Sequence, residues 1–375
     1  MYNITPMFLI FPTICLLCSF VRKINRNYIY FLLTTLFILI YSCSLNGADY
    51  EGYKILYNYI IEGRNFSEIH GELGYKILMT VFTKLGVGYD LFRLILLSGV
   101  TGVLFYSVHK MSPQFALSVY FISTMFVIYT ISAYRQYIVM AFSVFWIYRY
   151  NLGKKKEAIL GTSLLILFHS TALISFTFLM IYSIVKEKTL QQYFKFLKRN
   201  GLLLFFCAFL IRIIIFIALR QPFINGFVQR ILSVHASASP TLISTGLLAR
   251  AAFVIILFIM FNIKYINQNL IRMLAIYYFT GMFLYICIPL DFVMGRLMNN
   301  VSILSSILIP LIVYNMKINE KETQVDYQRY IQQKKDLFLC LIFLGIIAVV
   351  ILINQLMRQS GYYPYENIIL NMAQG

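Results

Sequence analysis

Arginines set among long apolar segments are the residues of this chain most clearly able to bind a ligand or take part in a reaction. Arg212 stands inside the apolar run 205–219, where inserting a charge into a membrane costs at least ~2.5–3.5 kcal/mol. A guanidinium group matches two phosphate oxygens at once, which a lysine ammonium cannot do. These arginines therefore predict an outer-side cavity that binds a phosphate-bearing lipid. The set comprises Arg93, Arg135, Arg212, Arg220, Arg230, Arg250 and Arg296.

Two other interpretations of these arginines stay open. Arg93 could form an ion pair with Asp90, three positions earlier in the chain. The other side chains could extend to the membrane–water interface and hold no ligand. The phosphate interpretation is strongest for Arg135, Arg220 and Arg296 taken together.

Two carboxylates stand at ends of apolar helices on the same predicted side, namely Asp49 and Asp291. Partial burial there could raise their pKa, which suits a base that takes a proton from a sugar hydroxyl. Asp49 could instead cap a helix, and Asp291 could pair with Arg296. The pair Asp49-x-Glu51 is only a faint metal-binding pattern, so we predict neither a metal nor a cofactor.

His169 lies in the short polar break His169-Ser170-Thr171 within the apolar stretch 158–185. Its imidazole could orient an acceptor, transfer a proton or donate a hydrogen bond to phosphate, and a buried structural histidine is the alternative. Tyrosines of 50–59 could stack on sugar rings or belong to the aromatic belt of a membrane interface. Cys15-x-x-Cys18 lies in an apolar run, where thiols behave as small apolar groups.

The elements that must position these residues are membrane helices. Of the 375 residues, 60 % are hydrophobic and 12 % are charged, about half the charge of a soluble domain. Apolar runs of about 18–20 residues recur, and each can cross a bilayer. The sequence predicts an all-α polytopic membrane protein with about 11–12 transmembrane segments. The predicted helices are 4–21, 28–45, 89–108, 113–131, 136–150, 158–168, 171–185, 201–219, 243–262, 272–290, 297–315 and 336–357.

Basic residues on both sides of 158–185 determine the predicted topology. Lys154-Lys155-Lys156 precede the stretch, and five basic residues follow it between 186 and 199. Basic loops stay in the cytoplasm, so both flanks should lie on one side and the stretch should reverse at His169. Such loops facing anionic lipids also explain much of the net charge of +18, so we predict no nucleic-acid partner. The first apolar run is expected to be a retained helix rather than a signal peptide.

We predict a single membrane domain, 1–375, because no linker, low-complexity stretch or repeat is visible. Two long segments, 46–88 and 220–242, should lie on the outer face, and 317–336 should form a cytoplasmic loop. Within the first, 49–61 and 72–85 carry apolar residues at helical spacing. This spacing predicts amphipathic helices at the outer membrane surface.

Several short motifs resemble the signature of the EpsG family. Their order and spacing are stronger evidence for this resemblance than any single motif. The central motifs are Ser132-Ala133-Tyr134-Arg135-Gln136, the lysine-rich turn 153–156 and Phe168-His169-Ser170. Those nearer the ends are Asp49-Tyr50, Glu72-Leu73-Gly74-Tyr75, Gly295-Arg296 and Tyr363-Pro364-Tyr365. The likeness spans most of the chain.

EpsG proteins are Wzy-type polymerases of bacterial capsule, exopolysaccharide and O-antigen. The resemblance implies a multi-pass protein of the bacterial cytoplasmic membrane, with a GT-C-like arrangement of helices and its active site facing the exterior. The growing chain would leave undecaprenyl pyrophosphate and join the non-reducing end of a new lipid-linked repeat unit. Donor and acceptor would thus both be undecaprenyl-pyrophosphate-linked oligosaccharides. The bilayer and a chain-length regulator are the further partners expected.

This resemblance orders the candidate residues by role. The pyrophosphate would be bound by Arg135, Arg220, Arg230 and Arg296. The candidates for activating or orienting the acceptor hydroxyl are Asp49, His169 and Asp291, with Asp49 the first choice as base. The residues assigned to the acceptor sugar are Glu72, Tyr50, Tyr53 and Gln136, and Glu72 could alternatively position an arginine.

Other classes of function stay open beside the polymerase. A flippase for lipid-linked oligosaccharide also needs a basic cavity, although it should show paired repeats and a charged path open to both sides. An O-antigen ligase uses the same donor and is hard to exclude on physical grounds. An acyltransferase usually needs a His-centred site on the cytoplasmic side, opposite to the predicted position of His169.

Overall fold

The computed structural model describes residues 7–21, 24–44, 47, 49–221, 240–263, 269–318 and 327–357. Every regular element in these ranges is a helix, and many of the helices are strongly apolar. The prediction of an all-α polytopic membrane protein is confirmed. Arg230, most of the predicted segment 220–242, the motif Tyr363-Pro364-Tyr365 and residues 319–326 lie outside the described ranges.

Sixteen α-helices follow one another along the described chain. The first eight are α1 Met7–Phe20, α2 Arg26–Phe37, α3 Tyr50–Ile61, α4 Leu73–Lys84, α5 Tyr89–Met111, α6 Phe115–Met125, α7 Val127–Ile131 and α8 Tyr134–Asn151. The others are α9 Lys155–Leu164, α10 Ala172–Ile184, α11 Glu187–Leu219, α12 Thr245–Ile263, α13 Asn269–Cys287, α14 Asp291–Ser302, α15 Ser305–Ile318 and α16 Tyr327–Met357. A π-helical turn, Ile38–Ser42, extends α2.

Five helical stretches in these ranges are long and apolar enough to cross a membrane. They are Tyr89–Met111, Glu187–Leu219, Asn269–Cys287, Val293–Asn315 and Gln332–Ile353. Shorter apolar helices are Phe8–Phe20, Phe115–Met125, Ala172–Ile184 and Gly246–Phe261. The larger number of transmembrane segments expected from the sequence, about 11–12, stays a prediction.

The predicted break in the stretch 158–185 is present. Helix α9 ends at Leu164, a 3₁₀ turn covers Leu165–Leu167, and α10 begins at Ala172. Inside the break, the backbone N–H of Thr171 donates to Nδ1 of His169 at 3.2 Å. The reversal of chain direction at this point stays a prediction.

Helix α8 contacts the chain on both sides of this break. Its fully buried Val139 packs with Leu165, just before the break, and with Ala172, just after it. Trp146 of α8 lies against Gly161 of α9, whose missing side chain lets the indole ring approach the helix backbone. The position of the break is therefore fixed by packing on α8.

Some predicted boundaries are wrong. Residues 187–200 of the predicted cytoplasmic loop 186–200 belong to the 33-residue helix α11. Leu190, Phe194 and Leu197 are buried there at helical spacing, so the segment carries an apolar face in spite of its lysines. The predicted helix 113–131 is divided at Phe126, and 297–315 is divided between α14 and α15. The end of the predicted loop 317–336 is helical from Tyr327.

The helices form two compact units. Unit 1 comprises Met1–Leu179 with Ala348–Gly375, and unit 2 comprises Met180–Ile347. In unit 1, α1 packs on α6, α5 and α9 pack on α8, and the amphipathic helices α3 and α4 pack on each other. In unit 2, α13 packs on α11 and on α14. The single membrane domain stays a prediction.

Candidate functional site

Arg135, in the first turn of α8, contacts two other predicted site residues of unit 1. Its Nη1 donates to the carboxylate of Glu72, and its Nε donates to the hydroxyl of Tyr53 at 3.3 Å. The Arg135 and Glu72 side chains remain 18 % and 27 % exposed. Because the guanidinium is held from two sides and is still accessible, it can receive an anionic ligand without a large rearrangement.

Gly71 allows the chain to pass close to this guanidinium. Its φ is +126°, a backbone conformation that side chains rarely adopt. A Cβ at this position would lie 3.2 Å from Nη1 of Arg135. A glycine here therefore lets the next residue, Glu72, reach Arg135 while leaving the arginine in place.

Asp49 approaches the same region from the start of α3. Its backbone N–H donates to Oγ of Ser132 at 3.4 Å, three residues before Arg135. Asp49 occupies the N-cap position of α3, as predicted, but its side chain makes no capping hydrogen bond. The residue is exposed, so its carboxylate remains accessible to a substrate hydroxyl.

Tyr53 is packed among other aromatic rings. It stacks on Tyr134 with ring centres 4.7 Å apart and meets the ring of Tyr75 edge-on at 5.5 Å. Burial raises the pKa of Tyr53, and the neighbouring Arg135 opposes this rise. The hydroxyl therefore keeps its proton, and its oxygen accepts from Arg135. This geometry favours a role in supporting Arg135 over an open platform for a sugar ring.

The two remaining predicted sugar contacts also have protein partners. The hydroxyl of Tyr50 donates to Asp90, and its ring lies 5.5 Å from that of Tyr89. Gln136 is 3 % exposed, so little of its surface is available to a sugar. Both assignments stay predictions, and the burial of Gln136 favours an indirect role.

Arg93 of α5 belongs to the predicted arginine set but was given no role there, and it supports the start of α8. It is 1 % exposed; its Nε donates to the hydroxyl of Tyr134 at 2.7 Å and its Nη1 to the carbonyl of Ser42 at 3.3 Å. Its Nη2 is buried without a hydrogen-bond partner among the described residues. The predicted alternative of an ion pair with Asp90 is wrong, because the ion pairs among the described side chains do not include these two residues, and Asp90 accepts from Tyr50.

The break that carries His169 packs on the start of α4. A Cβ on Gly74 would lie 2.8 Å from the carbonyl oxygen of Leu167, so the two backbones are in direct contact. Gly74 follows Glu72 by two residues, and His169 follows Leu167 by two residues. The structure thus places the partly buried His169 near the helix that contributes Glu72.

Gly74→Ala is expected to destabilise the protein by about 1–3 kcal/mol, because the new methyl group must displace a backbone carbonyl. It should also reduce activity by separating Glu72 from the break. Gly102→Ala in α5 is the matched control, since nothing lies within 4 Å of a Cβ there. That helical position should gain up to ~1 kcal/mol from alanine. Unfolding midpoints in detergent compare the two, and equal midpoints would contradict the predicted contact.

Arg212 of α11 is fully buried in unit 2 and holds four segments together. Its five N–H bonds match five acceptors at 2.6–3.2 Å. The acceptors are the carbonyls of Thr241, Leu242, Ile286 and Ile288 and the carboxylate of Asp291. This arrangement, the Arg212 clamp, leaves the guanidinium no N–H for a ligand.

Asp291 is the carboxylate of this clamp. Besides Arg212, it accepts from the hydroxyl of Thr241 at 3.1 Å and from that of Ser244. The predicted alternative was an ion pair with Arg296, whereas the structure pairs Asp291 with Arg212. Since three donors surround the carboxylate, the geometry favours a positioning role over that of the proton acceptor.

Two predicted pyrophosphate ligands among the described residues of unit 2 lie at its surface. Arg220 is exposed at the end of α11, with its guanidinium carbon 4.6 Å from the centre of the Phe216 ring. Arg296 is exposed on α14. Of the predicted site residues, unit 1 contains Asp49, Tyr50, Tyr53, Glu72, Arg135, Gln136 and His169, and unit 2 contains Arg220, Asp291 and Arg296.

Comparison with known proteins adds a finding that covers both units. The EpsG family model matches residues 27–367, nearly the whole chain. No curated protein and no solved structure matches it. Within the described ranges, no group of three His, Cys, Asp or Glu side chains could hold a metal ion. The match confirms the resemblance indicated by the motifs around Arg135 and His169.

Proposed function

The chain belongs to the EpsG family of Wzy-type polysaccharide polymerases, and from this premise we propose that it joins lipid-linked oligosaccharide repeat units. Family membership and apolar helices make it a multi-pass membrane protein of polysaccharide polymerase type. The proposed substrates are undecaprenyl-pyrophosphate-linked oligosaccharides, used on the outer face of the bacterial cytoplasmic membrane. The observation that carries the proposal is the accessible guanidinium of Arg135, held by Tyr53 and Glu72.

The proposed reaction is a glycosyl transfer. A hydroxyl oxygen at the non-reducing end of the acceptor unit attacks the anomeric carbon of the donor chain. The bond between that carbon and the pyrophosphate oxygen breaks, and the electron pair leaves with the lipid pyrophosphate. The hydroxyl proton passes to a base, for which Asp49 is proposed. Negative charge therefore accumulates on the leaving group, where arginine donors stabilise the transition state.

Each residue near Arg135 has a proposed part in this transfer. Arg135 binds pyrophosphate oxygens, and Glu72 holds the guanidinium in place through their ion pair. Asp49, exposed beside Ser132, accepts the proton. His169, in the break that packs on α4, orients the acceptor. The further pyrophosphate ligands expected from the sequence are Arg220, Arg230 and Arg296.

Reconstitution of the purified chain in vesicles with a lipid-linked repeat unit tests this function. We expect a ladder of products that differ by one repeat unit, without any nucleotide sugar. The reaction is run with and without a chelator and resolved on a gel. Vesicles that consume no repeat unit under any of these conditions would contradict the proposal.

The same system separates the alternatives. A flippase would move repeat units across the bilayer and leave their length unchanged. A ligase would transfer a finished chain to a different acceptor and make no ladder from repeat units alone. Deleting the protein in cells also distinguishes a flippase from a polymerase. Loss of a flippase retains repeat units inside the cell, whereas loss of a polymerase leaves single units displayed outside.

A further inference from the structure

Arg93 of α5 is a buried cation that no carboxylate contacts within the described ranges of unit 1. It is 1 % exposed, and the ion pairs found among the described side chains do not include it. Asp90, three positions earlier, accepts from the hydroxyl of Tyr50. Because burying a charge is costly unless the charge is paired, an anionic partner would stabilise Arg93.

The guanidinium of Arg93 uses two of its three nitrogens for protein contacts. Its Nε donates to the hydroxyl of Tyr134 at 2.7 Å, and its Nη1 donates to the carbonyl oxygen of Ser42 at 3.3 Å. Its Nη2 is buried and has no hydrogen-bond partner in the part of the chain that the structure describes. Buried polar atoms in folded proteins nearly always have a partner, and an orphan donor is explained by a bound water or ion.

The hydroxyl of Tyr75 on α4 is a second buried donor without a partner among the described residues. Tyr75 is 1 % exposed. Burial raises its pKa well above the ordinary value, and the nearby charges of Arg135 and Arg93 oppose this rise. The hydroxyl therefore keeps its proton and can donate it to an anion.

Aromatic rings hold both donors in one cluster. The ring centres of Tyr75 and Tyr53 lie 5.5 Å apart, and Tyr53 stacks on Tyr134 at 4.7 Å. The guanidinium carbon of Arg93 lies 5.1 Å from the centre of the Tyr134 ring. Tyr75 also lies 6.2 Å from the ring of Phe92, the neighbour of Arg93 in α5. The cluster thus combines a positive charge with two unused donors, which match a small anion.

An anion suits these donors better than a water molecule does. Water would accept from both, but it would bring two O–H groups that need acceptors of their own, and it would leave the charge of Arg93 uncompensated. A monovalent halide accepts from both donors and neutralises the guanidinium. It also needs no particular orientation, so it fits a site formed by rings and donors alone.

We propose that Nη2 of Arg93 and the hydroxyl of Tyr75 bind a chloride ion inside unit 1. Tyr53 of the same cluster supports Arg135, so the bound ion stabilises the inner side of the candidate site. The ion is a structural ligand and takes no part in the glycosyl transfer. The inference therefore does not depend on the proposed function, and either can fail without the other.

Thermal unfolding of the purified full chain in detergent tests the proposal, with sodium chloride compared with sodium gluconate at equal ionic strength. We expect chloride to raise the unfolding midpoint by several degrees and in a saturable way, because a ligand that binds only the folded chain stabilises it. Tyr75→Phe keeps the ring and loses the donor. The chloride concentration that gives half of the effect should therefore rise about 10-fold in this variant.

Tyr57→Phe is the matched control. Tyr57 is fully buried in the same unit, and its hydroxyl donates to the carbonyl oxygen of Val87 at 2.6 Å. Its loss should lower the midpoint equally in both salts and leave the chloride dependence unchanged. Equal midpoints of the unaltered chain in the two salts would overturn the inference. The same chloride dependence in Tyr75→Phe as in the unaltered chain would also overturn it, because the ion would then bind elsewhere.

Crystals of the unaltered chain grown in bromide provide a measurement that does not rely on a variant that folds. Bromide replaces chloride and is located by its anomalous scattering. The expected result is a peak within hydrogen-bonding distance of both Nη2 of Arg93 and the hydroxyl of Tyr75. A bound water, which gives no anomalous peak there, would overturn the inference, and so would bromide found only at the accessible Arg135.

Discussion

Arg135→Ala is expected to abolish long polymer while single repeat units still reach the cell surface. The substitution removes a guanidinium that Tyr53 and Glu72 hold in an accessible position, and the pyrophosphate leaving group then lacks a donor. Loss of one donor to a developing charge reduces turnover by about 10²–10³-fold. Gel profiles of surface polysaccharide measure the effect in cells, and initial rates in vesicles measure it on the purified chain.

Arg149→Ala provides a control within the same helix. Arg149 lies in the last turn of α8 and pairs with Glu157, so its loss also removes a guanidinium and an ion pair. It should leave polymer length unchanged, because it is at the opposite end of α8 from the proposed site. Arg135→Lys should retain little activity, since an ammonium cannot reproduce the two-pronged contact. Polymer of normal length and amount from Arg135→Ala would refute the site.

Features that depend on local sequence could be predicted. The polar triplet His169-Ser170-Thr171 interrupts an apolar run. Helix α9 ends before this triplet and α10 begins after it, because the run of apolar residues stops there. The amphipathic helices α3 and α4 follow from tyrosines and aliphatic residues at helical spacing. In both cases the signal lies within a few turns of chain, which is the range over which spacing and capping act.

Contacts between distant segments could not be predicted from spacing. Arg135 and Glu72 are 63 positions apart, and nothing in either segment specifies the other. The sequence treated the arginines as one class because each is a cation near apolar residues. The structure separates them by their partners: Arg93 donates to Tyr134, all five N–H bonds of Arg212 have protein acceptors, and Arg250 lies against the ring of Tyr285. Glycines such as Gly71 mark places of close approach, but which side chain arrives there cannot be read from the local sequence.

Arg212→Met is expected to destabilise the protein by about 3–5 kcal/mol, the typical result of breaking a buried ion pair by removing one partner. Asp291 would be left with its charge uncompensated, and four backbone carbonyls would lose their donor. The measurements are thermal and denaturant unfolding of the purified chain in detergent, together with its level in membranes. Arg220→Met, at the exposed end of the same helix, should change stability by less than about 0.5 kcal/mol.

A second substitution distinguishes a structural Arg212 from one that binds ligand. Removing the carboxylate as well, in Arg212→Met with Asp291→Leu, should recover part of the lost stability, because the unpaired buried charge is gone while the four carbonyls still lack a donor. If Arg212 instead bound pyrophosphate, Arg212→Met would unfold like the unaltered chain and would lose farnesyl pyrophosphate binding. Normal stability of Arg212→Met would therefore contradict the clamp, because a guanidinium with five protein acceptors cannot be removed without cost.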